Sequence, residues 1–410
     1  MRRFRKNTKT TIAFYGHFNS TNFGNESTLQ AIIYHLRRFF PHADISCICV
    51  WPETTIATHD VEVIPLSEAF VKFWVPRHPL NRILRKVLIG LPSEPYRWVK
   101  GLMRLRRTDM LIIPGTGLLT DAYCLLGWGP YNLLKWSLIA KICRCKLLFV
   151  STGAGPVYGI LGRCFVKSVL SLADYRSYRD ISSMEYLKSI GFRADKDPVY
   201  PDLAFSLPVT MISDPNTART CRSVVGLGVM EYAGKYSTDN PSNGIYRNYL
   251  ESMVALARWL LSHEYDVRLL SGDLADMDTR QEFRDLLRER LSPCDGGRII
   301  DEPIYSVEDL LSQIAATDSV VATRFHNVLF ALLCNKPVIS ISFHHKCESL
   351  MSAIGLSEYC LDINDLKADK LIEKFRDLEM DTSKIKPLIR EKVGEFRKAL
   401  DEQYELIFNQ

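Results

Sequence analysis

Short apolar runs alternate with helical segments along this chain, and the alternation occurs in two separate series. The first series opens with residues 11–15, which lead straight into Gly16, and the second opens with residues 224–230. Apolar runs of about four to eight residues, separated by segments of helical periodicity, are typical of buried parallel strands joined by helices. The sequence therefore predicts an α/β fold built from two doubly wound halves.

Chain length and turn-forming residues locate the boundary between the two halves. A chain of 410 residues is too long for one typical hydrophobic core. Pro, Ser, Asp and Asn are concentrated between the halves, which is the composition of a linker. We therefore predict an N-terminal domain at 1–208, a linker at 209–223, a C-terminal domain at 224–385 and a charged C-terminal helix at 386–410.

The composition is that of a globular protein in a reducing compartment. Apolar residues make up 47% and charged residues 24% of the chain, and no uncharged apolar stretch reaches the length of a membrane span. The 11 cysteines are odd in number and follow neither a zinc spacing nor a disulfide framework. Because such cysteines are typical of reduced thiols, we expect a cytoplasmic protein.

A basic, aromatic-rich segment interrupts the N-terminal half. Residues 72–107 contain ten Lys or Arg side chains and a single acid, Glu94, whereas the whole chain carries a net charge of only +5. Cations interleaved with aromatic and aliphatic residues are typical of a helix at a membrane surface, which would make the protein peripheral at the inner membrane face. The alternatives are a solvated basic face and a rim for an anionic acceptor. Because the basicity is local and no nucleic-acid module accompanies it, we expect no nucleic-acid partner.

Two strand–helix junctions near the C-terminus carry most of the chemistry that the residues themselves suggest. Apolar residues 319–322 and 338–342 each lead into a cationic loop, and the side chains delivered there are Arg324, Phe325, His326, His344, His345 and Lys346. Parallel strands end at one edge of a sheet, which is where open α/β sheets bind ligands. Helix N-termini at that edge favour negative charge. The junctions therefore predict a site for a multiply charged anion.

Seven short motifs, taken in order, give the chain a family resemblance. They are Asn22-Phe23-Gly24-Asn25-Glu26, a glycine-containing loop ending at Asp121, Thr152-Gly153-Ala154-Gly155-Pro156, Arg179-Asp180, Pro201-Asp202, Arg324-Phe325-His326 and Lys346. In this order the chain resembles the polysaccharide pyruvyl transferase family over residues 12–360. The resemblance implies a GT-B-like fold, in which two Rossmann-like doubly wound domains face a cleft.

The resemblance also implies a reaction and a donor. The family transfers a pyruvyl group from phosphoenolpyruvate to a sugar diol of a cell-surface polysaccharide or its lipid-linked precursor, forming a ketal. The implied donor-binding residues are Arg179, Arg324, Phe325, Lys346, Gly153 and Gly155. Arginine suits this donor, because its planar fork grips carboxylate and phosphate and does not deprotonate. The resemblance implies that His326 lines the donor site, and we predict that it carries the proton, because imidazole exchanges protons near neutral pH. Phosphoenolpyruvate is a co-substrate, and no metal or other cofactor is expected.

The acceptor saccharide is assigned to loops of the N-terminal half and to the second junction. The candidate acceptor-binding residues are Asn22, Gly24, Asn25, Glu26, Asp121 and His344. Asn25 stands where the family more often has Asp, and an amide does not take up a proton near neutral pH, so Asn25 cannot be the acceptor base. We expect the loop to run from residue 16 to residue 26 and the first helix to begin at Ser27.

Structural roles remain open for several of these residues. Arg179 could pair with Asp180 or Asp202, His326 could cap or pack, and Asp121 could cap the segment after it. Glu26 is favoured at a helix start by the dipole alone.

Two other functions also remain open. A sugar-nucleotide glycosyltransferase would use an acidic residue such as Asp273 or Glu302 for its nucleotide. A non-catalytic member of a polysaccharide assembly complex would keep the fold alone.

Overall fold

The chain forms two compact units. The computed structural model describes residues 10–18, 22–49, 61–66, 90–121, 128–212, 222–232, 241–291, 296–343 and 345–409. Unit 1 comprises Met1–Ser20, Thr28–Leu203 and Glu402–Gln410, and unit 2 comprises Thr21–Ser27 and Ala204–Asp401. Most of the predicted linker at 209–223 lies outside the described residues. Residues 22–27, which we predicted in the N-terminal domain, group with unit 2.

Unit 1 is a doubly wound domain around a parallel sheet. Its six described strands are β1 (Thr11–Tyr15), β2 (Asp44–Cys49), β3 (Glu62–Pro65), β4 (Met110–Pro114), β5 (Lys146–Thr152) and β6 (Tyr175–Tyr178), in the order β3-β2-β1-β4-β5-β6. The helices of this half that the structure describes are α1 (Phe23–Phe39), α2 (Leu91–Leu105), α3 (Trp128–Ile142), α4 (Ile160–Leu172) and α5 (Ile181–Ser189). Every residue of β4 is buried, as expected of a central strand covered on both faces.

Unit 2 repeats the same winding. Its six described strands are β7 (Val224–Gly228), β8 (Asp266–Leu270), β9 (Ile299–Ile300), β10 (Ser319–Ala322), β11 (Val338–Ser342) and β12 (Cys360–Asp362), in the order β12-β11-β10-β7-β8-β9. The described helices are α6 (Pro241–Ser262), α7 (Met277–Arg290), α8 (Val307–Ala315), α9 (Phe325–Leu333), α10 (His345–Ile354) and α11 (Ala368–Phe408). Both halves therefore have Rossmann-like topology, and the predicted fold class is confirmed.

The strand order fixes where ligands can be expected in each sheet. In unit 1 the winding reverses between β1 and β4, and in unit 2 between β7 and β10. Crevices form outside the carboxyl ends of the strands at such reversals, because the two connections leave in opposite directions. The loop after β10 begins at such a point.

The C-terminal helix is longer than its sequence indicates. We predicted a helix from 386, next to Pro387, but α11 begins at Ala368 and runs through that proline. A proline inside a helix removes one hydrogen bond, but here buried Phe375, Leu378 and Ile389 lie on both sides of it. Burial of that apolar face offsets the lost hydrogen bond, and the helix continues through Pro387. None of the helices in the described part of the chain is long and apolar enough to span a lipid bilayer.

Candidate functional site

The first C-terminal junction lies at the reversal of winding in unit 2. Arg324 is the N-cap residue of α9, with extended backbone, and Phe325 and His326 form the first turn of the helix. The three residues are half-buried, and the rings of Phe325 and His326 meet edge to face at 5.0 Å. The strand lies where the sequence predicted it, but α9 begins at Phe325, so Phe325 and His326 belong to the helix and not to the predicted loop. The strand end and the start of the helix deliver these side chains to the carboxyl edge of the sheet.

Arg324 is held by a carboxylate that the sequence analysis missed. Its Nε and Nη2 donate to Oδ2 and Oδ1 of Asp276 at 2.7 and 2.6 Å, and its Nη1 lies 3.9 Å from Asp273. Asp276 is fully buried. Burial raises the pKa of Asp276, although its hydrogen bonds with Arg324 act in the opposite direction. Arg324 is therefore a rigidly oriented cation with two carboxylates beside it.

The Asn22 motif meets this junction within unit 2. The side-chain oxygen of Asn22 accepts hydrogen bonds from the backbone N–H groups of Gly24 and Asn25 at 2.9 and 3.3 Å. Its Nδ2 donates to Oδ2 of Asp273 at 2.9 Å, and the backbone N–H of Phe23 donates to the carbonyl of Gly272 at 3.3 Å. These bonds join segments that are far apart in the sequence, since Asn22 and Asp273 are separated by 251 residues.

Capping by Asn22 also corrects the predicted start of the first helix. Helix α1 begins at Phe23 rather than at Ser27, because Asn22 already satisfies N–H groups of its first turn. Gly24, half-buried Asn25 and buried Glu26 are consequently helical residues, not loop residues.

Gly24 is required for the close approach of His326. A Cβ built on Gly24 would lie 1.9 Å from Nδ1 of His326, far inside contact distance. The imidazole therefore lies directly on the glycine backbone, and its ring is 6.0 Å from that of Phe330. Two of the predicted acceptor residues, Asn22 and Gly24, thus lie in the same cluster as Arg324 and His326. The local sequence does not predict the contact between Gly24 and His326.

The second predicted arginine lies in unit 1, at the end of the outer strand β6. Arg179 is nearly buried; its Nη1 donates to Asp202 at 3.0 Å, and its Nε lies 3.6 Å from Asp180. Burial would lower the pKa of Arg179, but Asp202 and Asp180 outweigh it and the pKa is raised. A Cβ on Gly153 would lie 2.9 Å from Nη2 of Arg179. The pairing with aspartates that we considered as a structural role is therefore present, and Gly153 makes room for it.

Two further predicted residues shape the loops of unit 1. Gly155 has a φ of +82°, and a Cβ there would lie 2.6 Å from the ring of Tyr186. Asp121 accepts hydrogen bonds from the backbone N–H groups of Tyr158 and Gly159, both at 2.8 Å, just before α4. Asp121 therefore binds the chain just ahead of α4, whereas the segment that we predicted it to cap, 122–127, lies outside the described residues. Gly155 provides a backbone turn.

The C-terminal segment of unit 1 braces the Gly153 loop, which the sequence did not suggest. Buried Gln403 donates to Ser177 Oγ at 2.7 Å and accepts from Ser151 Oγ at 3.1 Å. Ser151 has a φ of +49°, a conformation that costs energy for a residue with a side chain. The strained residue lies two positions before Gly153, so these bonds fix the strand end from which the loop departs.

The remaining candidates are less defined. Lys346 lies half-buried in the first turn of α10, and His344 lies outside the described residues. Glu302 pairs with Arg268, and Asp273 bonds Asn22 and the N–H of Ala275. Within the described ranges, no group of three or more His, Cys, Asp or Glu side chains is arranged so that it could hold a metal ion.

Comparison with solved structures defines the class of the fold. The chain is similar to Anabaena Alr3699/HepE in complex with UDP and glucose, with a TM-score of 0.57 and 13% identity over 96% of this chain and 98% of that one. It is also similar to UDP-GlcNAc 2-epimerase from Neisseria meningitidis bound to UDP-GlcNAc, with a TM-score of 0.60 and 11% identity over 98% and 100% of the two chains. At such identities the similarity establishes the fold alone, which is that of a GT-B-like protein with two Rossmann-like domains.

Sequence comparison identifies the family within that class. The profile of the family described as polysaccharide pyruvyl transferase matches residues 22–345, which is most of the chain. The chain is also 19% identical over 397 residues to the amylovoran biosynthesis protein AmsJ of Erwinia amylovora, covering 88% of this chain and 90% of that protein. The protein belongs to the polysaccharide pyruvyl transferase family. The resemblance noted in its motifs is thereby confirmed.

Proposed function

We propose that this protein transfers a pyruvyl group from phosphoenolpyruvate to two hydroxyls of a saccharide and forms a cyclic ketal. The observation that carries the proposal is the family match over residues 22–345, which begins with the Asn22 motif and includes the Arg324 junction. The clustering of Asn22, Gly24, Arg324 and His326 supports a shared site for these motif residues. The acceptor is a cell-surface polysaccharide or its lipid-linked precursor, in keeping with the name of AmsJ.

The chemistry needs one proton at carbon and two additions of oxygen. Protonation of the donor's methylene carbon makes C2 electrophilic, and one sugar hydroxyl adds there. Phosphate then leaves, and the second hydroxyl adds to the same carbon and closes the ring, while each hydroxyl loses its proton. His326 is the proton donor in this proposal, because imidazole exchanges protons near neutral pH. Glu26 is the carboxylate of the Asn22 motif and the candidate to receive an acceptor proton.

Preorganised cations hold the donor. Arg324 meets Asp276 through its Nε and Nη2 atoms, so its orientation is set before a ligand arrives. A side chain that is already ordered loses less entropy on binding than a mobile one. Arg324 and Phe325 are the proposed donor contacts in the cluster of unit 2. Arg179, Gly153 and Gly155 are donor-binding candidates that rest on the family resemblance alone. Lys346 adds a point charge for the phosphate, and no metal or other cofactor takes part.

A sugar-nucleotide glycosyltransferase is the alternative that the fold favours. HepE, whose structure contains UDP and glucose, has a similar fold. The two acidic residues considered for a nucleotide are already engaged, Asp273 by Asn22 and Glu302 by Arg268. These engagements favour pyruvyl transfer over that alternative.

The test is an assay with phosphoenolpyruvate and candidate saccharides, which measures released phosphate and the methyl signal of the ketal by NMR. Replacing His326 by Ala should lower the rate about 10²–10⁴-fold, the usual contribution of general acid catalysis. The matched control is His263→Ala, because His263 is an exposed histidine bonded to Trp259 and Ser262 on α6.

Two results would reject parts of the proposal. Full activity in the double variant Arg324→Ala/His326→Ala would reject the site. Binding of UDP-sugars without binding of phosphoenolpyruvate would reject the reaction in favour of glycosyl transfer.

A further inference from the structure

Helix α2 has apolar residues on its outer face as well as its inner one. On the inner side, Leu105 is fully buried, Trp98 Nε1 donates to Tyr131 on α3 at 3.4 Å, and Gly101 lies against Ile139. On the outer side, Val99 and Met103, four residues apart, are 55% and 61% exposed. The outward face of a surface helix is normally polar, so this second apolar stripe requires an explanation.

Cations surround the outer stripe. Lys100, Arg104, Arg106 and Arg107 lie within or just after α2, and Glu94 is the only acid from residue 90 to residue 107. Arg104 bonds Glu62 at 2.9 Å, but both side chains are more than half exposed, so water screens this pair. The surface of the helix therefore carries a net positive charge beside exposed apolar side chains.

Glu94 does little to offset that charge, because it is engaged on the inner side. Its carboxylate lies 3.2 Å from Nζ of Lys135, which is only 1% exposed, and it also accepts from Tyr131 and Arg97. Burial lowers the pKa of Lys135, although Glu94 acts in the opposite direction. Glu94 thus compensates a buried lysine of α3 and one arginine of α2.

A cleft beside the helix has the same amphipathic character. It has a volume of about 410 Å³, which includes its open mouth. Its lining combines apolar Ile64, Leu66 and Trp136 with Tyr96, Lys100 and Arg104. Lys100 is 4.9 Å from the centroid of the Tyr96 ring. An anionic group on an apolar chain would meet matching surfaces here.

We propose that the outer face of α2 binds the surface of an anionic membrane. The helix lies in the headgroup region, Val99 and Met103 enter the boundary of the acyl chains, and Lys100, Arg104, Arg106 and Arg107 contact lipid phosphates. Apolar residues between cations on one helix face are the pattern of interfacial helices, and each cation near an anionic bilayer adds to the attraction. A nucleic acid would use the cations but leave the apolar stripe in water. The proposal does not depend on the reaction proposed above.

Vesicle sedimentation with the full-length protein tests this proposal. The protein should bind vesicles of phosphatidylcholine mixed with phosphatidylglycerol, bind phosphatidylcholine alone much more weakly, and dissociate as salt is raised. The variant Val99→Ser/Met103→Ser should lower the partition coefficient about tenfold or more, because apolar area no longer leaves water. Arg106→Gln/Arg107→Gln should lower it by a similar factor and flatten the salt dependence.

Matched controls lie on α11. Met380 is 74% exposed, and Lys384 and Lys392 are cations of the same helix. Met380→Ser and Lys384→Gln/Lys392→Gln should leave the partition coefficient unchanged. The α2 variants change exposed side chains only, and circular dichroism should give the spectrum of the unaltered protein. Absence of binding, equal binding to neutral vesicles, or unchanged binding of Val99→Ser/Met103→Ser would each overturn the proposal.

Discussion

Arg324 and Arg179 both follow a strand of a Rossmann-like sheet, and both are flanked by two aspartates, yet their surroundings differ. Arg324 follows β10, at the reversal of winding in unit 2, and its side chain is 24% exposed. Arg179 follows the outer strand β6 of unit 1, and its side chain is 7% exposed. Crevices open at a reversal of winding and not at an outer strand. The position of the strand, rather than the residue type, decides which arginine is better placed to meet a ligand.

The glycines beside these two regions differ in a corresponding way. Gly24 lies against the ring of His326, a rigid group joined to its backbone by only two rotatable bonds. Gly153 lies against the far end of the Arg179 side chain, which can shift by rotation about several bonds. A side chain added at Gly24 in unit 2 is therefore harder to accommodate than one added at Gly153 in unit 1.

The first prediction compares the two glycines by adding a methyl group at each. Gly24→Ala should lower the transferase rate by about 10²-fold, because displacing a reacting group by about 1 Å can cost that much. Gly153→Ala should have a clearly smaller effect. Gly244→Ala on α6 is the control, since nothing lies within 4 Å of the added Cβ. Steady-state rates at saturating phosphoenolpyruvate provide the measurement, and equal losses at Gly24 and Gly153 would contradict the comparison.

A second prediction compares the two ion pairs by stability. Arg179→Gln should lower the free energy of unfolding by about 3–5 kcal/mol, because it leaves the buried carboxylate of Asp202 without its cation. Arg324→Gln should cost less, about 1–3 kcal/mol, since burial raises the pKa of Asp276 and its carboxyl keeps a hydrogen bond from the N–H of Glu231. Urea unfolding measures both. The double variant Arg179→Gln/Asp202→Asn should recover part of the first loss, and no recovery would argue against an uncompensated charge as its cause.

The smallest expected effect is a pH dependence from Asp276. Burial raises its pKa above the ordinary value near 3.9, so the folded protein takes up this proton at a higher pH than the unfolded chain does. Its contribution to stability is fully present below about pH 4 and is lost as the pH rises through the raised pKa, by at most about 1.4 kcal/mol per pH unit. The stability of the unaltered protein minus that of Asp276→Asn should therefore decline as the pH rises above about 4.

Asp278→Asn is the matched control for this pH dependence, because Asp278 is an exposed aspartate in the first turn of α7, the helix that begins directly after Asp276. A difference between the unaltered protein and Asp276→Asn that stays constant with pH would show that Asp276 is not the titrating group.

Local sequence patterns were sufficient to predict the two Rossmann-like halves and the residues at the ends of the strands. Strands β10 and β11 lie at the predicted residues 319–322 and 338–342, because apolar runs and helix-ending residues act locally. The motifs around Asn22, Arg179 and Arg324 also sufficed to indicate the family. The sequence did not predict a helix that continues through Pro387, because burial of the apolar face of the helix outweighs the local helix-breaking tendency of proline.

Which of these residues are in contact follows only from the way the elements pack together. In unit 2, Asn22 is hydrogen-bonded to Asp273, Gly24 lies against His326, and Arg324 pairs with Asp276. In unit 1, Gln403 accepts a hydrogen bond from Ser151. Val99 and Met103 are exposed on α2, whose other face is buried. Contacts between residues far apart in the chain depend on how whole elements pack. A local pattern of apolar and polar residues records which face of an element is buried, but not which partner covers it.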